Sequence, residues 1–454
     1  MNFIWKCEPQ AENLLLNFLN ECVASHPGIK DLQEELRAAS SRLFDWVEYF
    51  TIGAASTEIE KDLKAAGFIQ ELSTTSHRIL HHPRAQLPRV LILPAPASGA
   101  LGIAVKVESI SDYLMVRGLC CKIEGSPLSP FRRCCVSSQG GVSLWVVERR
   151  GSLTMEPAVV SSHQLQEIVK AAELWQLRPR RGSDEAHIMK QTITLAEELV
   201  RSVGKDYAAH LMLEGERKYW QSRNTAGQIQ KNRQDRVGLG WANHDHHTFR
   251  SSRRNFPMLV KLFETVGFHC RERFYAGEEA GWGAQVMEQS NSGLVLFLDI
   301  DLAPNEHQID FAHITLPELK HLGTIGLWCA LHGESILQAG MHHLEAQFFF
   351  DELGHDLAKV GIGMMVPFSN FPHLRQAFTV GEQWSVDSSR VHDLLKRELV
   401  TQAQAEKFIE KGAIGSHLEN LQRRQGFKGF NQHNISQIIQ ETDPRSIATT
   451  TAGI

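Results

Sequence analysis

The residues best suited to chemistry are histidines that cluster in two short stretches of the second half of the chain. The 454-residue sequence contains 22 histidines, among them HDHH at 244–247 and the pair at 342–343. Both stretches lie in segments whose pattern predicts β-strands, 244–250 and 341–350. Neutral imidazole is a common ligand of divalent transition metals. The two stretches therefore predict a metal site to which each strand contributes a histidine.

The first predicted strand has a polar face, because residues two positions apart share one side of a strand. One face carries His244, His246, Thr248 and Arg250, and the other carries Asp245, His247 and Phe249. Burying imidazole and guanidinium groups is costly unless they are paired or line a polar cavity. We therefore expect a polar or metal-lined cavity here, and alternation alone leaves open which histidine is the ligand.

The second predicted strand divides in the same way. His343, Glu345 and Gln347 share a polar face, whereas His342 lies on a mostly apolar face and is expected to pack. His343 is therefore the better ligand candidate. Glu345 and Gln347 are expected to share its cavity, where they could bind substrate or orient the ligands.

A carboxylate follows in a third predicted strand, 418–422. Glu419 lies between Leu418 and Leu421, where burial is costly unless the carboxylate is paired or binds a cation. Two histidines and one carboxylate form the facial triad of non-haem Fe(II) oxygenases. That triad leaves three adjacent coordination positions open, enough for a bidentate 2-oxo acid and dioxygen. The pattern predicts Fe(II), with Zn, Ni, Co and Mn as alternatives.

The elements that position these residues form a repeated pattern over about 241–440. A strand, a helix closed by a glycine and further strands follow one another twice. Extra helices are expected at 390–399 and 402–411, either between the copies or within the second. We predict a helical N-terminal region at 1–80, a small α+β module at 90–150, a helical connector at 160–235, a metal-binding domain at 240–440 and a disordered tail at 441–454. We assign no chemistry to the N-terminal half.

Composition excludes several other classes of protein. The net charge is −5, with 42% hydrophobic and 22% charged residues, so no nucleic-acid or polybasic membrane surface is expected. No apolar run reaches the ~20 residues that span a bilayer. Eight cysteines without a CxxC spacing indicate free thiols. The sequence lacks P-loop, dinucleotide-binding and HExxH motifs. We expect a cytoplasmic globular enzyme.

Several segments resemble the vicinal oxygen chelate superfamily, and within it 4-hydroxyphenylpyruvate dioxygenase. The segment DHHTFRSSRRNFPMLVKLFETVGF resembles the family's first ligand strand and helix, and GMHHLEA resembles its second ligand strand. The segment VPFSNFPHLRQAF resembles the stretch that follows, and LENLQRRQGFKGFNQHNISQI resembles the family's ending. The resemblance implies that His246, His343 and Glu419 hold the metal. It places Gly429, Phe430 and Asn434 on the closing motif.

The stretch DHHTFR also resembles the N-H-x-T-x-R strand of the 2-oxoadipate dioxygenase/decarboxylase family. That resemblance implies that Arg250 binds a substrate carboxylate, for which a bidentate guanidinium is well suited. A surface salt bridge is the alternative for this arginine. The helical EKFIEKGAI stands where the first family has a substrate-contacting strand, so that family's aromatic substrate does not transfer.

The implied fold is α+β, with paired β-α-β-β-β units forming an open barrel in the C-terminal half, preceded by a helical and small α+β N-terminal half. The implied function is an Fe(II)-dependent dioxygenase acting on a 2-oxo acid with decarboxylation. Dioxygen and a small molecule are the expected partners, and a homo-oligomer is expected by analogy alone. A glyoxalase-type isomerase or lyase, with a fourth ligand from Glu345 or His244, and a non-catalytic ligand-binding protein are the alternatives.

Overall fold

The computed structural model describes residues 5–54, 56–71, 77–94, 101–182, 184–431 and 442–446. These residues form two eight-stranded mixed sheets, one in each half of the chain, with four helices between them. The elements of the first half are α1 (Pro9–Ser25), α2 (Pro27–Ala38), α3 (Leu43–Trp46), β1 (Val47–Gly53), α4 (Thr57–Ala65), β2 (Ile69–Gln70), β3 (Arg78–His81), β4 (Arg89–Leu93), β5 (Leu101–Lys106), α5 (Ile110–Val116), β6 (Ile123–Glu124), β7 (Phe131–Gln139) and β8 (Val142–Arg149).

The first sheet consists of two β-α-β-β-β units that lie side by side. Its strand order is β2-β3-β4-β1-β5-β8-β7-β6. The first strand of each unit pairs in parallel with the last strand of the same unit, β1 with β4 and β5 with β8. The two first strands, β1 and β5, pair antiparallel at the centre. Three strands begin within 1–80, where the sequence analysis expected only helices. Two of them, β2 and β3, are too short to show a periodic pattern.

Both faces of the first sheet are apolar. One face packs against the helices of its half, through residues such as Phe50 and Ile103. The opposite face buries a smaller apolar cluster, which comprises Tyr49, Ile79, Leu91, Ala104, Phe131, Val147 and Met155. Alternate residues of each strand supply the two faces, as the pleat of a strand requires.

Four helices connect the sheets, namely α6 (Ser162–Leu177), α7 (Glu185–Val203), α8 (Lys205–Gln221) and α9 (Thr225–Asp235). Ser161 and Gln164 form a capping box at the start of α6, which supplies partners for otherwise unbonded N–H groups. Buried Glu216 on α8 accepts hydrogen bonds from Trp175 Nε1 at 2.9 Å and Arg178 at 2.7 Å, which ties α8 to the end of α6. No helix in the described ranges is long and apolar enough to cross a membrane.

The second half repeats the architecture with longer insertions. Its elements are β9 (His244–Arg250), α10 (Phe256–Thr265), β10 (His269–Tyr275), β11 (Trp282–Gln289), β12 (Leu294–Asp301), a 3-10 helix (Glu306–Gln308), α11 (Thr324–His332), β13 (His343–Ala346), α12 (Phe350–Ala358), β14 (Ser369–Phe371), β15 (Leu374–Phe378), β16 (Gln383–Trp384), α13 (Ser388–Lys396), α14 (Gln402–Lys411), β17 (Ala413–Ile414) and β18 (His417–Arg423).

The strand order of the second sheet is β10-β11-β12-β9-β13-β18-β15-β14, in which corresponding strands take the same places as in the first sheet. β9 pairs in parallel with β12, β13 pairs in parallel with β18, and β9 and β13 meet antiparallel at the centre. Along the chain, an insertion of β16, α13, α14 and β17 lies between β15 and β18, which are neighbours in the sheet. The predicted α+β class with paired β-α-β-β-β units is confirmed. The edge strands β10 and β14 do not pair with each other within the described residues, so this sheet is open.

The two faces of the second sheet differ in polarity. Phe249, Leu298, Leu344 and Leu418 lie on the helix-facing side and belong to the main apolar core, where the Phe249 ring centroid is 5.1 Å from that of Phe263 on α10. Pro257 in the first turn of α10 suits a helix start, because its fixed φ fits and its missing N–H needs no partner there. The opposite face carries the histidines and carboxylates.

Candidate metal centre

Four buried donors meet on the face of the second sheet opposite α10. His246 on β9, His343 and Glu345 on β13, and Glu419 on β18 each place one ligand atom within 4.8 Å of the others. β13 lies between β9 and β18, and Glu345 is in register with Glu419. The structure therefore brings together the three residues that the sequence analysis proposed as ligands, and adds Glu345.

Both imidazole rings turn Nε2 toward this cluster and use Nδ1 elsewhere. His246 Nδ1 lies 3.0 Å from Asp245 Oδ2, and His343 Nδ1 lies 2.8 Å from His342 Nδ1. His343 Nε2 is 3.1 Å from Glu419 Oε2 and 3.5 Å from Glu345 Oε1. A histidine that ligates a metal usually gives its other ring nitrogen to a carboxylate or similar partner. The two rings are therefore held as metal ligands are held.

The contact between His246 Nε2 and Glu345 Oε2 is one that a proton or a cation must stabilise. When Nδ1–H of His246 donates to Asp245, its Nε2 has a lone pair and no proton. That lone pair faces a carboxylate oxygen, and Glu345 Oε2 has no hydrogen-bond donor among the described residues. Two buried acceptors in contact repel each other unless a proton or a cation lies between them. A divalent metal would satisfy both.

The two carboxylates differ in their surroundings. Gln376 Nε2 donates to Glu419 Oε1 at 3.0 Å, which leaves Oε2 for the cluster. Burial raises the pKa of Glu345 well above its usual value, and the negative charge of Glu419 raises it further. Burial also disfavours ionised Glu419, but hydrogen bonds from Glu345 and His343 lower its pKa overall. Protonation therefore favours Glu345 over Glu419.

Asp245 supports the cluster from beside it. Arg423 contacts both of its oxygens, with Nε 3.2 Å from Oδ1 and Nη2 3.1 Å from Oδ2. Burial alone would raise the pKa of Asp245, but Arg423 and His246 lower it well below its usual value. Asp245 is therefore a fixed anion that orients His246. Strand alternation put it on the opposite face, and the signal that could have found it is its position directly before the ligand histidine.

Aromatic rings enclose the histidines. The ring centroid of His246 lies 4.7 Å from Phe297 and 5.0 Å from Phe430, and that of His343 lies 4.9 Å from Phe378. Phe430 belongs to the predicted closing motif, whose Gly429 carbonyl accepts a 2.5 Å hydrogen bond from Arg423. Asn434, the third predicted residue of that motif, lies outside the described residues. The rings form an apolar wall on one side of the cluster.

Arg250 lies on the same strand face as His246 and is 4% exposed. Its Nε is 3.8 Å from Asp299 Oδ2, and its guanidinium lies 5.6 Å from the Trp328 ring centroid. Its Nε and Nη1 have no hydrogen-bond partner in the described ranges. Burial raises the pKa of Asp299 to about 7, which weakens its value as a counter-charge. Arg250 therefore has donors to spare for an anionic group.

Four other candidates lie outside the donor cluster. His244 turns Nδ1 to the Trp241 carbonyl at 2.8 Å, and its ring packs against His247. A register shift where β13 pairs with the start of β9 breaks the alternation that grouped His244 with His246. His342 is buried beside His343, and Gln347 follows the end of β13 and lines a different cavity.

Comparison with known proteins gives weak likenesses. No protein-family model matches the chain, and no curated protein matches it. A mutant of 4-hydroxymandelate synthase from Streptomyces coelicolor is 10% identical, with 88% of this chain and 98% of that chain covered and a TM-score of 0.30. A fusion of a xylose isomerase-like TIM barrel with 4-hydroxyphenylpyruvate dioxygenase is 12% identical, covering 88% and 52%, at 0.23. Methylmalonyl-CoA epimerase from Mycobacterium tuberculosis is 10% identical, covering 40% and 89%, also at 0.23.

The strand order itself defines the fold. Each sheet pairs two β-α-β-β-β units through their first strands, and each first strand is parallel to the last strand of its unit. The chain has the vicinal oxygen chelate fold. In this chain the donors lie on the first strand of each unit of the second sheet and on the last strand of its second unit.

Proposed function

We propose that this protein is an Fe(II)-dependent dioxygenase that acts on a 2-oxo acid with decarboxylation. The observation that supports the proposal is the buried cluster of His246, His343 and Glu419, which offers two imidazoles and a carboxylate from three adjacent strands. The 2-oxo acid and dioxygen would give CO2 and an acid one carbon shorter that has gained one oxygen atom as a hydroxyl. The other oxygen atom of dioxygen would enter the new carboxylate.

The chain's own residues would bind, orient and shield. Bound Fe(II) would supply the redox chemistry that lets dioxygen react with the 2-oxo acid. Asp245 holds the proton on Nδ1 of His246, which keeps Nε2 available as a ligand. Arg250 would pair with a carboxylate of the substrate through its free N–H groups. Phe297 and Phe430 would keep water from the reacting groups.

Glu345 decides between this reaction and a second candidate. Three protein ligands leave three positions of an octahedral ion open, whereas four leave two. A bidentate 2-oxo acid together with dioxygen needs three positions. In a dioxygenase, Glu345 would therefore accept a hydrogen bond or a proton near the metal without binding it.

The second candidate is a metal-dependent isomerase or lyase of the glyoxalase type. The presence of Glu345 within the donor cluster favours it, because a second carboxylate can serve as a fourth ligand or as a general base. Glu345 would then take a proton from the carbon beside a substrate carbonyl, and a Zn, Ni or Co ion would supply Lewis acidity. No oxygen would be consumed.

Metal analysis of protein purified without oxygen tests both candidates. The variants are His343→Ala, Glu419→Gln and Glu345→Gln, and Glu410→Gln at an exposed position of α14 is the matched control. For the dioxygenase we expect about one iron per chain in the wild type, in the control and in Glu345→Gln, and none in the other two. An oxygen electrode with a panel of 2-oxo acids should then show oxygen uptake matched by CO2 release.

Other results would distinguish the two candidate functions or contradict both. Loss of metal in Glu345→Gln, with no oxygen uptake by the wild type, would assign the isomerase or lyase. Wild-type protein that binds no divalent metal under these conditions would contradict both candidates.

A further inference from the structure

A second cavity, of about 270 Å³, lies where the two sheets meet the connector helices. Lys106 at the end of β5, Arg217 on α8 and Asp245 on β9 all line it. None of the four donors of the metal cluster does. The cavity is therefore separate from the metal centre, although Asp245 belongs to the surroundings of both.

The carboxylates that line this cavity are all neutralised by neighbouring cations. The nearest N–O distances are 2.6 Å for Glu48 with Arg149, 3.1 Å for Glu108 with Lys231, 2.7 Å for Glu214 with Lys218, and 3.1 Å for Asp245 with Arg423. The lining residue Arg150 is itself paired, with Glu148 at 2.7 Å. These groups together contribute little net charge to the cavity.

Two cations in the lining have no such partner. No carboxylate of the described ranges lies within 4.0 Å of the Lys106 ammonium or of the Arg217 guanidinium. Arg217 is 5% exposed, its Nη1 contacts His247 Nε2 at 3.2 Å, and its Nε has no hydrogen-bond partner there. Glu108 and Glu214 act on Arg217 only from beyond 4.0 Å and are themselves paired with lysines, so the loss of hydration on burial of this guanidinium remains costly. An anion in the cavity would compensate both charges.

We propose that this cavity binds a small organic molecule with two anionic groups, one held by Lys106 and the other by Arg217. The volume is near the lower end of the range for small-molecule sites, which suits a compact metabolite. Apolar contacts are available from Trp241 and Leu153, which also line the cavity. Carboxylates and phosphate groups are the anions that a guanidinium binds bidentately. The ligand is therefore a dicarboxylate or a phosphate monoester.

Isothermal titration calorimetry of the full chain tests the proposal with three probes. Glutarate represents the dicarboxylates, glycerol phosphate represents the phosphate monoesters, and butyrate is a monoanionic control. The variants are Lys106→Gln and Arg217→Gln, and Lys190→Gln at an exposed position of α7 is the matched control. His343→Ala reports any binding at the metal centre.

We expect one of the two dianions to bind at least tenfold more tightly than butyrate, and its identity assigns the ligand class. Lys106→Gln and Arg217→Gln should each weaken that binding by roughly tenfold or more, since each removes a charge-assisted hydrogen bond. Lys190→Gln and His343→Ala should leave it unchanged. Circular dichroism checks the fold of Arg217→Gln, and half-buried Lys106 gives a second, independent variant.

Four results would overturn the proposal. They are the absence of binding by either dianion at millimolar concentration, binding that Lys106→Gln leaves unchanged, equal weakening by Lys190→Gln, and loss of binding in His343→Ala. The last result would place the dianion at the metal centre. Because the readout is binding and not turnover, the proposal stands or falls separately from the proposed dioxygenase.

Discussion

Acid should destabilise this protein through histidines that the fold keeps neutral, and His332 at the end of α11 gives the clearest case. It is 4% exposed, its Nε2 donates to the Ile414 carbonyl at 3.1 Å, and its ring packs against Trp384. Burial lowers its pKa from 6.5 to about 3. The unfolded chain therefore binds a proton between pH 6.5 and pH 3 that the folded chain does not. Stability due to His332 is complete above pH 6.5 and is lost as the pH falls through this window.

The size of the effect follows from the pKa difference. At pH 5, about 1.5 pH units below the His pKa in the unfolded chain, protonation of His332 stabilises the unfolded state by about 2 kcal/mol. At pH 7 protonation of His332 stabilises the unfolded state by only a few tenths of a kcal/mol. His332→Gln removes the titration, and its amide N–H can still donate to Ile414. The variant should therefore lose about 2 kcal/mol less unfolding free energy than the wild type between pH 7 and pH 5.

Urea denaturation at pH 7, 6 and 5 measures this difference. The comparison uses the change with pH within each protein, so any constant loss of packing against Trp384 cancels. His321→Gln at an exposed position is the matched control for the loss of one histidine. Equal pH dependence in the wild type and His332→Gln would refute the argument that burial keeps His332 neutral.

Three further predictions concern buried charges. Asp245→Asn should weaken metal binding by roughly 10- to 100-fold, measured by competition with a chelator, because it removes the anion that orients His246. Glu216→Gln should lower the unfolding free energy by about 3–5 kcal/mol in urea denaturation, since buried Arg178 loses its carboxylate partner, and an unchanged midpoint would contradict this. Arg250→Gln should raise KM for a 2-oxo acid by roughly 10- to 100-fold with a smaller change in kcat, measured by oxygen uptake.

Strand alternation was sufficient to group several residues of the site. The predicted strand 244–250 has the bounds of β9, and the alternation along β13 groups His343 with Glu345, as the structure does. These predictions succeed because a regular strand fixes the side of each residue. The choice of His246 over His244 needed the family resemblance, because the irregular pairing at the start of β9 cannot be read from sequence.

Other features depend on contacts between distant segments. Asp245 reaches His246 from the neighbouring position only because Arg423, 178 residues away, holds it in place. The outer strands of the first sheet escaped prediction for a different reason. Its edge strands β2 and β6 are two residues each, too short for any periodicity, and they are recognised only through their pairing with β3 and β7.

The two eight-stranded sheets have the same strand order, but they differ in the residues on one face. In the first sheet, that face is filled by the apolar cluster around Tyr49, Ala104 and Phe131, whereas in the second it buries two imidazoles and two carboxylates. The apolar face needs no ligand, but the polar face is costly whenever the metal is absent. Metal-free protein should therefore exchange its amide hydrogens faster in β9, β13 and β18 than in the corresponding strands β1, β5 and β8. A bound metal would then stabilise the second sheet and leave the first sheet unchanged.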